Sequence, residues 1–153
     1  MAAQGDDLIG DVLLSEAQIR ERITELGAEI ARDYAGKAPI LVAVLKGAFI
    51  FMADLARAVD IPLEVDFMAV SSYGASTRSS GVVRIVKDLD IDLHGRHVII
   101  VEDIVDSGLT LRYLRKTFES RGTASLEVCA LLVREGNQQA ELDLRYIGFR
   151  IPP

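Results

Sequence analysis

Five residues in one short stretch have the types and spacing to do chemistry: Glu102, Asp103, Asp106, Ser107 and Thr110. They follow an apolar run, Val98 to Val101, of the kind that makes a strand buried on both faces. After the two carboxylates comes a loop with Ser107 and Gly108, and a helical pattern begins at Thr110. Strand, small-residue loop and helix N-terminus together make a phosphate cradle. Free backbone N–H groups and the positive end of the helix dipole both face the loop. The hydroxyls of Ser107 and Thr110 can add donors. Acids beside such a cradle would repel a bare phosphate. They suit a ligand that also offers hydroxyls or a divalent cation, as a sugar phosphate does.

The rest of the chain must position these groups. Its 153 residues suit one compact domain with a real core, and half of them are apolar. That composition argues against disorder, and no run approaches the length of a membrane span. Residues Met1 to Gly10 are acidic and small, unlike a secretion signal. The single cysteine, Cys129, lies in an apolar strand pattern and reads as a buried small hydrophobe. These features point to the cytoplasm. A net charge of −6 excludes a general nucleic-acid platform.

Taken in order, Ser15 to Gln18 reads as a capping box. Ile19, Ile23, Leu26 and Ile30 then recur at helical spacing through Tyr34. Ile40 to Leu45 is a short buried strand, and a second helix covers Ala48 to Ala58. Strands are expected at Leu63 to Val70, Val82 to Val86, Ser125 to Val133 and Leu142 to Phe149. A helix covers Leu111 to Ser120, closed by Gly122. Ser71 to Gly81 is a polar loop or the long tip of a hairpin, and Glu135 to Glu141 is polar loop. Strands alternating with helices imply a mostly parallel sheet, whose ligands collect at strand carboxyl ends. Four segments fall there: Lys46-Gly47, Ser72-Tyr73, Glu102 to Thr110, and Arg134. Adjacent strand residues face opposite ways, so Glu102 and Asp103 reach one ligand only if the strand end twists.

The stretch Glu102 to Thr110 resembles the phosphoribosyl-pyrophosphate signature of type I phosphoribosyltransferases, most closely that of their hypoxanthine-guanine branch. The resemblance implies an α/β fold with a mostly parallel central sheet flanked by helices and a small hood from the N- and C-terminal segments. It implies that Glu102 and Asp103 address the ribose hydroxyls and an associated Mg2+. Asp106 would face the purine and accept the proton lost from its imidazole ring, as the catalytic base. Ser107, Gly108, Leu109 and Thr110 match the loop for the 5′-phosphate. Lys46 and Gly47 resemble the pyrophosphate loop, where glycine admits an anion close to the backbone. Ser72 and Tyr73 begin a segment similar to the flexible catalytic loop, which excludes water from a reactive sugar cation. Arg78 and Arg84 are candidate lid or steering charges. Arg134 stands where the family has a lysine that meets the purine 6-oxygen. His94 and His97 have no metal-pair spacing and read as solvent-facing.

Tyr146 to Pro152 is similar to the family's lead into the base-binding hood. There the family continues with a stacking aromatic, an acid and an arginine, whereas this sequence ends at Pro153. The expectation is therefore a single phosphoribosyltransferase domain over 1–153, with an incomplete hood and a natural frame running past Pro153. The implied enzyme moves 5-phosphoribosyl from its pyrophosphate to a 6-oxopurine, as a homodimer or homotetramer, without nucleic-acid or membrane partners. Two rivals remain at this point: a nucleotide-binding regulator that also binds RNA, and a binding protein without turnover.

Overall fold

The computed structural model describes residues 13–72, 83–138 and 142–153. Helix α1 (Glu16–Asp33) opens with the capping box, Ser15 Oγ accepting from Gln18 N while Gln18 Oε1 accepts from Ser15 N. Strand β1 (Ile40–Leu45), helix α2 (Phe49–Ala58) and strand β2 (Glu64–Ser72) follow. Then come β3 (Val83–Lys87), β4 (His97–Val105), α3 (Leu109–Glu119), β5 (Ser125–Arg134) and β6 (Tyr146–Ile151). The sheet order is β3-β2-β1-β4-β5-β6. Among the described residues only the β2–β3 pair is antiparallel. Ser72 pairs with Val83 at the near end of β2 and β3, and the rest of the polar segment, 73–81, lies outside the described residues.

Alternation along the buried strands supplies two cores. Leu41, Ala43, Ile99, Val101 and Cys129 face one side, under α1 and α2. Ile40, Val42, Val98, Ile100 and Val128 face the other, under α3 with Leu114 and Phe118. Cys129 is buried as expected, and burial pushes its thiol up to about 12, so it is inert. Asp66 is a buried acid whose Oδ2 accepts from Asp90 N and Ile91 N, tying down the link from β3 to β4. At the β6 end of the sheet, Arg22 of α1 donates to the carbonyls of Ile147 and Gly148. Two acceptors on that edge strand are thereby covered.

The boundaries differ from expectation in three informative places. β4 runs on through the acids to Val105, because β5 keeps pairing with it as far as Val133. α3 starts at Leu109, after Gly108 takes a left-handed φ of 82°. β6 begins at Tyr146 rather than Leu142, since Leu142 and Leu144 pack onto the α3-side core from irregular chain. His97 is not simply solvent-facing. It is half-buried, its Nδ1 lies 2.7 Å from Ser125 Oγ, and its ring meets Tyr34 edge-on.

Gly27 marks where α1 crosses α2. A Cβ there would overlap the carbonyl and Cβ of Ala58. Alanine at an ordinary helix position gains about 1 kcal/mol over glycine. Here the sign should reverse, and we expect Gly27→Ala to lower stability by roughly 1–3 kcal/mol through overpacking. Urea denaturation midpoints decide it, and a stabilised variant would refute the close crossing.

Candidate active site

β1 and β4 are neighbours, yet their crossovers go opposite ways: β1 leads through α2 to β2, and β4 through α3 to β5. This is the switch point where open α/β sheets bind ligands. Pairing between the two strands ends at Ala43 and Val101, so Glu102 to Val105 run on with no β1 partner. A cleft of about 280 Å³ opens there. Its wall includes Gly47, Glu102, Asp103, Asp106, Ser107 and Thr110. The two acids reach the same cleft although they alternate along the strand, because it wraps the free end of β4 rather than one sheet face.

Gly47 packs against Asp103, whose Oδ2 would lie 3.2 Å from a Cβ at that position. The Lys46-Gly47 turn is thus drawn against the acids. Lys46 itself is exposed, and the Leu45–Lys46 peptide is cis. Asp103 Oδ1 accepts from Ile104 N. Glu102 is half-buried, and burial together with the neighbouring Asp103 charge pushes its carboxyl up to about 8. Among the described residues no group of three or more His, Cys, Asp or Glu side chains could cage a metal. Two adjacent carboxylates instead fit a hard cation that takes its other ligands from substrate and water, as Mg2+ does.

Ser107 Oγ accepts from Leu109 N at 3.4 Å, and Thr110 lies in the first turn of α3. Gly108 is required locally for two reasons. Its φ is left-handed, and Leu142 fills the space a Cβ would need, with Cδ1 at 2.5 Å. Asp106 is exposed at the mouth. Arg134 Nε stands 3.7 Å from its Oδ2, an ion pair not foreseen from the sequence. Asn137 Nδ2 donates to Asp106 Oδ1 at 2.8 Å. Gln138 Nε2 donates to the carbonyls of Asp106 and Arg134, at 2.9 and 2.7 Å. Sequence reading missed Asn137 and Gln138. Their one signal is the run of three amides, Asn137, Gln138 and Gln139, after Gly136, whose φ of 83° turns the chain back.

Ser72 ends β2. Tyr73 and Arg78 lie outside the described residues, and Arg84 is exposed on β3. His94 is exposed, and His97 starts β4, at the opposite end of that strand from the acids.

The sequence profile of the phosphoribosyl transferase domain matches residues 11–152. The hypoxanthine-guanine phosphoribosyltransferase of Mycobacterium tuberculosis is 53% identical over 150 residues, covering 94% of this chain and 74% of that protein. The enzyme of the same name from Bacillus subtilis is 47% identical over 144 residues, covering 94% and 80%. Among solved structures, a hypoxanthine-guanine phosphoribosyltransferase from Bacillus anthracis superposes with a TM-score of 0.89 at 42% identity, covering 93% of this chain and 84% of that one. A hypoxanthine phosphoribosyl transferase from Trypanosoma cruzi gives 0.88 at 41% identity, covering 94% and 79%. With the switch-point cleft and its acid–loop–helix wall, these likenesses establish that the chain belongs to the phosphoribosyl transferase domain family, on its hypoxanthine-guanine branch.

Proposed function

We propose that the enzyme salvages purines by moving 5-phosphoribosyl from 5-phosphoribosyl 1-pyrophosphate to N9 of hypoxanthine or guanine, releasing pyrophosphate. The observation that carries this reading is the cleft itself, which gathers the loop before α3, two acids and an exposed carboxylate around one opening. The backbone of Ser107 to Thr110 and the N-terminus of α3 receive the 5′-phosphate. Lys46 and Gly47 receive the pyrophosphate, and Glu102 and Asp103 orient the ribose hydroxyls and hold Mg2+. That ion, when bound, neutralises charge on the departing pyrophosphate. Asp106 takes the imidazole proton as the new bond forms to an oxocarbenium-like sugar. Arg134 meets the 6-oxygen, and Ser72 and Tyr73 begin the segment that keeps water out. We assign residues 1–153 to one phosphoribosyltransferase domain.

The exposed side chains of Phe49 and Ile50 flank the Lys46-Gly47 turn, at 52% and 66% exposure. They support assembly into a homodimer or homotetramer through this side of the molecule. No helix among the described residues is long and apolar enough to cross a membrane. We place the enzyme in the cytoplasm.

Three outcomes test these assignments. Asp106→Asn should leave donor binding intact and lower turnover by about 10²-fold or more. Steady-state kinetics on the full-length protein with hypoxanthine check this, and parental turnover would remove Asp106 from the mechanism. Guanidinium has donors only, so Arg134 matches a carbonyl and opposes the amino group of adenine. Hypoxanthine and guanine should therefore be used well above adenine, by roughly 1–3 kcal/mol of discrimination, with erosion in Arg134→Met. A variant that discriminates like its parent would leave Arg134 only its pairing with Asp106.

The third outcome concerns Glu102. Its folded value of about 8 lies above the ordinary 4.5, so between them the folded state binds a proton that the unfolded chain has released. That contribution to stability is full below 4.5 and is lost as pH rises through about 8. Glu102→Gln should flatten the fall of the ligand-free melting temperature between about pH 5 and about pH 8.5. Parallel curves for parent and variant would contradict the raised value.

A further inference from the structure

An exposed carboxylate is an imprecise base. Untethered, its χ angles sample several staggered wells, and only some aim an oxygen at a bound purine. Asp106 is such a residue, with a side chain 59% exposed. Yet both of its oxygens have partners from the chain at the end of β5: Asn137 Nδ2 on Oδ1 and Arg134 Nε near Oδ2. The two partners differ in kind. The amide of Asn137 is neutral and its donor is short-range, so it fixes direction without adding charge. Arg134 supplies a longer, weaker electrostatic pull at the cleft mouth. Gln138 adds a third tie, to backbone only. By bridging the carbonyls of Asp106 and Arg134 it joins the start of the phosphate loop to the end of β5. The two side chains assigned to the purine are carried by those same two residues.

We propose that Asn137 and Gln138 are positioning residues for the purine side of the reaction. Asn137 holds Oδ1 of Asp106, so that when the purine enters, Oδ2 exchanges its longer 3.7 Å pairing with Arg134 for the imidazole ring while Arg134 meets the 6-oxygen. Gln138 holds Asp106 and Arg134 at a separation that spans the purine from its imidazole ring to its 6-oxygen. This rests on Asp106 being the proton acceptor, and goes beyond it by naming the groups that act through Asp106. Gly136 makes the arrangement possible: its left-handed backbone follows Glu135, whose N–H bonds to Ile151 O, and directs Asn137 back over the cleft mouth.

The test uses Asn137→Ala, Asn137→Asp and Gln138→Ala in the full-length protein, with kinetics in both substrates. A misaimed base should lower kcat/KM for hypoxanthine roughly tenfold or more in Asn137→Ala and Gln138→Ala, with KM for the phosphoribosyl donor unchanged. Asn137→Asp keeps the shape but sets a second carboxylate against Asp106, in a cleft already holding Asp103 and Glu102 and with Arg134 the facing cation. The acid limb of its kcat/KM profile should move to higher pH. In an Asp106→Asn background, Asn137→Ala should cost nothing further, because its effect travels through that carboxylate. Parental kcat/KM in both alanine variants, an unmoved acid limb, or an undiminished Asn137→Ala loss in the Asp106→Asn background would each overturn the proposal. If Asp106→Asn is slow and the Asn137 and Gln138 variants are not, the positioning role alone falls. If Asp106→Asn itself turns over like the parent, the reading of Asp106 falls first.

Discussion

The parting of β1 from β4 is the constraint on which the rest of the molecule depends. Two parallel strands that stay paired to their ends leave no room between them. Here β1 turns away at Lys46 while β4 continues, held on its other side by β5. The free edge of β4 is where Glu102 and Asp103 meet a cleft instead of a neighbouring strand. Acids there do not break the core, because they line the cleft beside the unpaired edge of β4 while Val105 and Val133 at the same strand ends stay in the α3-side core. The cleft is thus a consequence of opposite crossovers at adjacent strands, and the helices follow from it: α1 and α2 cover one face, α3 the other.

Electrostatics then set the character of the opening. Glu102 and Asp103 are neighbours in a partly desolvated place, and Glu102 responds by holding its proton up to about 8. Near neutral pH the ligand-free pair carries less charge than its formulae suggest. Asp106 sits differently, at the exposed mouth, facing Arg134 and Asn137. Acids a few residues apart thus lie in different surroundings, one half-buried beside a like charge and one exposed with a cation and an amide as partners.

Close approach is handled by glycine where nothing larger fits. Gly47 lets the turn after β1 rest on Asp103, and Gly108 lets Leu142 rest on the loop before α3. Leu142 is the less obvious of the two. It belongs to the chain leading into β6, yet it packs with the α3-side core against the loop. With Gln138 bridging the carbonyls of Asp106 and Arg134, the loop before α3 is braced twice by chain that follows β5.

What the sequence alone determined is what short-range chemistry determines. The apolar run before Glu102, the small residues after Asp106, and the alternation of strands and helices all act within a few residues of themselves, so their types and spacing could be read directly. The capping box at Ser15 and the burial of Cys129 were legible for the same reason. The tertiary structure alone decided how far β4 runs, because pairing with β5 sets its end. It alone placed Glu102 and Asp103 in one cleft, gave His97 to Ser125 and Tyr34, and set Arg22 against the carbonyls of β6. It alone aimed Asn137 and Gln138 at Asp106. Each is a contact between groups far apart along the chain, whose partner is chosen by register and crossover direction, and no local pattern of residues encodes that choice.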